Sequence, residues 1–289
     1  MVSSMAEPIR VTVTRADTVE SVHLVHAVAL RDGEVVAEAG DPELVTFMRS
    51  AAKPIQAGPL ARAREDLRPR ELAIASASHL ADDAQLDAVR ALLAKAPATE
   101  DDLECGPFKG SKLNHNCSGK HAGMLALCHA KGWPYEGYRL ANHPCQQAML
   151  AEVAELAGTT EMATAVDGCG VVTFALPLER MAVAFAGVDE QVSAAMRAYP
   201  ELIRGPGALD TSLMQELPGW TAKGGAEGLL CAVGPDGLGL ALKAEDGSQR
   251  ALGPALGAFL DRLGQDGSGF AAAPIYNSRQ EVVGSVTSC

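Results

Sequence analysis

No stretch of this 289-residue chain reaches the ~20 consecutive apolar residues that a bilayer-spanning helix needs. Met1 to Arg10 lacks a basic start followed by an apolar run, so no export signal is read there and the cytoplasm is the expected compartment. A surplus of basic charge is also missing: 24 Lys and Arg against 36 Asp and Glu leave a formal net charge of −12. Nucleic acid and anionic membrane would repel such a surface, which leaves a small polar molecule as the expected partner. Seven cysteines, odd in number and scattered, do not make the dense, even framework of a small secreted disulfide domain. Most are expected to be reduced thiols, with Cys128 and Cys231 in apolar runs reading as core. Internal repeats and long linkers are absent as well.

What is present is an ordinary globular composition, 47% hydrophobic, enough for one large domain or two closely joined ones. Strands are predicted at Ile9 to Thr14, Val22 to Leu30 and Glu34 to Ala39, the last two joined by the turn Arg31-Asp32-Gly33. Leu229 to Val233 and Leu238 to Ala244 flank Gly234-Pro235-Asp236-Gly237 in the same way, and Glu281 to Thr287 closes the chain as a strand. Helical patterns cover Asp83 to Lys95, Ser118 to Lys131, Pro144 to Leu156 behind Asn142 as N-cap, Val188 to Ala198 and Ala251 to Leu263. The expected class is α+β, an antiparallel sheet built from N- and C-terminal strands and flanked by helices. We expect a single domain over 1–289, in which the helix-rich part around 81–200 forms a subdomain.

Several local patterns carry chemistry, none of them decisive alone. Ser50 and Lys53 in Arg49-Ser50-Ala51-Ala52-Lys53-Pro54 stand three apart at a helix start, so one face presents a hydroxyl and an amine able to deprotonate it. An N-cap serine beside a solvated lysine is the plainer reading of the same four residues. Pro59 is expected to kink the helix that follows. Ser76-Ala77-Ser78-His79 closes an apolar run as a strand end or turn, and Lys243 ends an apolar strand. Cys117, at a predicted helix start, should have a depressed pKa suited to metal binding or reaction. With Cys169 in a distant glycine-rich turn it gives an incomplete zinc pattern. Ser118-Gly119-Lys120 lacks the upstream glycines of a phosphate loop. Lys223-Gly224-Gly225-Ala226-Glu227-Gly228 is read as a tight turn or a hairpin entrance.

Taken together and in order, the blocks resemble the L-asparaginase II family, the rhizobial-type or class 3 asparaginases. The resemblance runs from Glu20-Ser21-Val22-His23-Leu24-Val25-His26 through Arg49 to Pro54, Ala77-Ser78-His79 and Asn116-Cys117-Ser118-Gly119-Lys120-His121. It continues through Asp167-Gly168-Cys169 and the Lys223 to Gly228 block to Lys243-Ala244-Glu245-Asp246-Gly247. It implies a fold related to serine β-lactamases and glutaminases, a homodimer, and hydrolysis of L-asparagine to L-aspartate and ammonia. By the same resemblance Ser50, Lys53, Ser78 and Lys243 are catalytic, while Cys117, Lys120 and Cys169 hold zinc. Arg49, His121 and Asp167 are expected, from charge and position, to bind substrate. A glutaminase or β-lactam-recognising serine hydrolase shares this chemistry, although no Lys-Thr-Gly strand is evident. A non-catalytic zinc-stabilised binding module is the reading from a different class.

Overall fold

The computed structural model describes residues 6–289. Met1 to Met5, half of the stretch examined for an export signal, lie outside the described residues. The chain runs through strands β1 (Ile9–Arg15), β2 (Thr18–Arg31), β3 (Glu34–Ala39) and β4 (Val45–Phe47), a 3-10 turn at Arg49–Ala52, and helices α1 (Lys53–Ala63) to α5. These are α2 (Pro69–Ala75), α3 (Asp83–Lys95), α4 (Ser118–Lys131) and α5 (Pro144–Ala157). Then follow β5 (Ala163–Val166), β6 (Val172–Pro177), α6 (Leu178–Ala186), α7 (Glu190–Ala198), α8 (Pro200–Ile203) and α9 (Leu209–Glu216). The last part holds β7 (Thr221–Gly225), β8 (Leu229–Val233), β9 (Gly239–Ala244), α10 (Leu252–Arg262), β10 (Ala272–Tyr276) and β11 (Val282–Ser288).

The architecture is α+β, and its main sheet joins the two ends of the chain. Strand order is β10-β11-β1-β2-β9-β8-β7, with β3 also paired to β2. The C-terminal β11 runs antiparallel to β1, Val11 opposite Ser288, and β2 runs antiparallel to β9, His26 opposite Lys243. Alternation along β9 places Leu240 and Leu242 on one face and Ala241 and Lys243 on the other. Helices α10 and α6 both pack on the sheet. Gly239 allows α6 its close approach, since a Cβ there would stand 2.3 Å from the Ala182 carbonyl oxygen. The buried apolar side chains form one continuous cluster reaching from Ile9 to Val286. No helix among the described residues is long and apolar enough to cross a membrane.

Three expectations change. Leu72 to Ala75 belongs to α2 rather than to a strand end: Pro69 stands at its start and the Glu71 side chain accepts from the Arg68 N–H, a helix-initiating arrangement. Helix α1 continues through Pro59 to Ala63, so the proline removes one backbone donor without ending the helix. The cap of α5 is His143, whose Nδ1 accepts from the Cys145 N–H at 3.1 Å, and not Asn142. Lys223 to Gly225 ends β7, so the block is a hairpin entrance and its turn is confined to Ala226 to Gly228. A small antiparallel sheet, β4-β6-β5, was not foreseen. It delivers the chain from Phe47 directly into the 3-10 turn that carries Ser50.

Candidate active site

The 3-10 turn opens on Arg49, whose φ of 49° lies in the left-handed region. A non-glycine residue there costs about 1–3 kcal/mol and persists where its surroundings fix it. Here the Arg49 N–H donates to Thr173 Oγ1 at 3.1 Å and its Nε to Asp167 Oδ1 at 2.5 Å. The conformation turns the chain into α1, leaving Ser50 half-buried and Lys53, one turn on, fully buried. The Lys53 amine donates to Ser78 Oγ at 2.9 Å and to the Ala77 carbonyl. Burial pulls Lys53 below an ordinary amine and the Lys120 charge adds to this, with the Cys117 thiol opposing. Ser78 is itself buried, its N–H donating to the Ile203 carbonyl at 2.7 Å.

Edge strand β7 packs on the 3-10 turn and brings a further buried lysine toward this group. Lys223 of edge strand β7 is fully buried, and the Lys53 charge acts on it. Burial pushes its amine down to about 8, with Asp210 opposing and Lys53 and Arg204 contributing. Strand β7 can come this close because residue 225 is glycine: a Cβ there would stand 2.8 Å from the Met48 carbonyl oxygen, immediately before Arg49. Lys243, on β9, is two strands and two residues away from Lys223, about 12 Å by sheet spacing. Its amine donates to the Ala244 carbonyl, and Glu227, Asp246 and Glu245 supply its surrounding charge. Lys223 and Lys243 therefore stand at different positions on the same sheet, Lys243 in the row of Leu229 and Gly225. The block around Lys243 has a structural use: Glu245 and Asp246 bond His26 Nε2 at 2.7 Å and His23 Nδ1 at 2.5 Å, tying β9 to β2. Lys223-Gly224-Gly225, a lysine followed by small residues on an edge strand, is the sequence pattern that brings Lys223 to this side of the sheet.

Cys117, Lys120 and Cys169 do come together. The Lys120 amine lies 3.1 Å from Cys169 Sγ, and the Cys169 thiol donates to Cys117. That bond pulls Cys117 well below an ordinary thiol against the cost of burial, with Lys53, His115 and Lys120 contributing. Burial would lower Lys120, but Cys169, Cys117 and Asp167 outweigh it, so its amine is held as an ammonium. A zinc ion bound by a thiolate at about 2.3 Å and an amine at about 2.0 Å sets the two donors roughly 3.5 Å apart. The 3.1 Å separation is within a few tenths of an ångström of that, and two thiols with one amine suit a tetrahedral ion that keeps one position open. Among the described residues no group of three or more His, Cys, Asp and Glu side chains is gathered for a metal. The implied set contains only two such side chains, Cys117 and Cys169, its third donor being Lys120.

His121 is fully buried beside this cluster. The Glu104 N–H donates to Tyr138 Oη at 2.8 Å, so the tyrosine hydroxyl donates onward to His121 Nδ1 at 2.6 Å. The ring proton is then on Nε2, a buried polar atom with no partner in the chain. Burial and the Lys120 charge keep the ring neutral, well below an ordinary histidine. His79 is also neutral, held for structure. Its Nδ1 accepts from the Ala81 N–H at 3.1 Å and its Nε2 donates to Ser118 Oγ at 2.8 Å, which donates in turn to the Leu113 carbonyl.

The structure therefore gathers a half-exposed serine, a second buried serine, two buried lysines, an arginine–aspartate pair and a thiol–amine cluster. This is an arrangement for attack on an amide carbonyl by a hydroxyl with bases at hand. A search of curated proteins found no match to the chain. A family model described as L-asparaginase II matches residues 11–288, nearly the whole length, and the chain belongs to the L-asparaginase II family.

Proposed function

We propose that the chain hydrolyses the side-chain amide of L-asparagine through a serine–lysine mechanism with Ser50 as nucleophile. The observation that carries this reading is the Lys53 amine, 2.9 Å from Ser78 Oγ and one helical turn from Ser50. Ser50 is the serine with exposed surface, while Ser78 is buried, so an incoming carboxamide meets Ser50 first. Lys53 takes the Ser50 proton, and the oxygen adds to the carboxamide carbon. The Lys53–Ser78 pair returns the proton to the departing nitrogen, and ammonia leaves as the aspartyl ester forms. Water adds to the ester with the same pair as base, releasing L-aspartate and restoring the Ser50 hydroxyl. Lys223 places positive charge beside this exchange.

Arg49 and Asp167 offer opposite charges side by side, suited to the α-carboxylate and α-ammonium of a free amino acid. The Nε2–H of His121 offers a further donor in the interior. Cys117, Lys120 and Cys169 would hold a zinc ion, with Lys120 giving up its proton to serve as ligand. Such an ion supplies a fixed positive charge to orient or polarise substrate. The resemblance of the motifs further supports a homodimer.

The test is ammonia release from L-asparagine and, separately, L-glutamine by the wild type and Ser50→Ala, with zinc measured on the same samples. Release from asparagine that is lost in the variant supports the reading. A preference for glutamine changes the substrate alone. A folded, zinc-loaded wild type that releases ammonia from neither amide refutes the assignment in favour of a binding module.

A further inference from the structure

Asp210 takes no part in the reaction as described, yet it is built into the site. Its Oδ2 accepts from the Lys223 amine at 3.1 Å and from the Gly224 N–H at 3.0 Å. The amine also donates to the Gly224 carbonyl at 2.8 Å. Side-chain exposure is 0% for Lys223 and 2% for Asp210, so no solvent competes for these contacts. Burial works against the Asp210 carboxylate, but Lys223 and the Gly224 N–H outweigh it and hold the group ionised. Helix α9 therefore grips the edge of β7 through one carboxylate, and the grip fixes where the Lys223 amine stands.

Resting on the serine–lysine reading above, we propose that Asp210 is the positioning residue for Lys223, holding its amine beside Lys53 so that charge is in place when the amide is cleaved. Asp210 touches neither serine in the structure and acts only through the lysine. The other charged or titratable groups on elements around Lys223 are Lys53 on α1, Arg204 after α8 and Cys231 on β8. Arg197 of α7 lies farther along β7 and bonds Thr221 Oγ1. Of these, Lys53 and Arg204 oppose the ammonium form of Lys223, which Asp210 favours.

The experiment follows steady-state ammonia release from L-asparagine across pH for the purified full chain, Asp210→Asn, Asp210→Glu and Ser50→Ala. Asp210→Asn should lower kcat about tenfold or more with KM within about twofold, since a misplaced group impairs the chemical step. Removing the negative neighbour lowers the Lys223 pKa, so the limb of the profile that reports this lysine should move to lower pH. Asp210→Glu keeps the charge and displaces it, so kcat should fall with that limb in place. If the Asn variant does not fold, the Glu variant carries the test alone, and an unchanged kcat overturns the proposal. A loss of thermal stability with kcat and profile unchanged also overturns it, as does a rise in KM alone. Failure of the Asp210 role by itself shows as an inactive Ser50→Ala beside an Asp210→Asn with the wild-type profile. A fully active Ser50→Ala removes the underlying mechanism and the proposal with it.

Discussion

Lys53 reaches Ser78, 25 residues farther along the chain, with a 2.9 Å hydrogen bond between two buried side chains. The second serine is therefore joined to the base before any substrate arrives. Ser78→Ala should lower kcat by about 10²- to 10³-fold, because proton transfer through a positioned hydroxyl is worth that much. KM should change little. Steady-state kinetics on L-asparagine check this, and a variant with wild-type kcat would show that Ser78 is a bystander.

Lys223 and Lys243 make opposite predictions. Lys223→Met should lower kcat/KM by about 10³-fold or more, as loss of a charge used in the transition state does. Lys243→Met, which loses an amine bonded to the Ala244 carbonyl, should stay within about threefold of wild type once corrected for folded fraction. Parallel assays with circular dichroism on both variants decide between the two lysines.

The two lysines also show what a sequence hides. Strand alternation and turn residues made the terminal-strand sheet legible, as they did α3, α4 and most of α5 and α7, since each follows from the period of its own residues. Ser50 with Lys53 could be read as a pair because one helix turn holds them, whereas Lys120 beside Cys117 and Cys169 came only from the resemblance of the motifs. Which distant lysine joins them depends on strand order, and a strand shows no order within itself. Lys223 was therefore passed over, and Asp210, 13 residues before it, carried no signal at all. Helix α2 was missed because a short apolar run has no period to read, and His143 because imidazole caps are uncommon beside those of Asn and Asp.

Arg49 and Asp167 should act as a unit on substrate. Arg49→Lys keeps a charge but loses the planar fork, and KM for L-asparagine should rise about tenfold or more. Asp167→Asn should raise KM similarly, and the double variant should cost less than the two single losses combined. A strictly additive double-mutant cycle would separate the pair.

His79 makes stability depend on acid. Burial and the nearby Lys53 charge lower its pKa to about 4 from an ordinary 6.5. Between these values the unfolded chain carries a proton on His79 that the folded chain does not, so stability falls as pH drops from 6.5 to 4. The loss from this residue should approach about 3 kcal/mol by pH 4. His79→Gln, which carries no titrating group there, should flatten that part of the curve in urea unfolding at a series of pH values. An equally steep curve would assign the acid loss to other groups.

The serine–lysine mechanism requires Ser50 to carry the aspartyl group during turnover. Acid quenching of the enzyme within the first turnovers on L-asparagine, followed by proteolysis and peptide mass spectrometry, tests it directly. An aspartyl adduct is expected on the peptide containing Ser50 alone and is absent from Ser50→Ala. An adduct on the Ser78 peptide, or hydrolysis by Ser50→Ala at the wild-type rate, would contradict it.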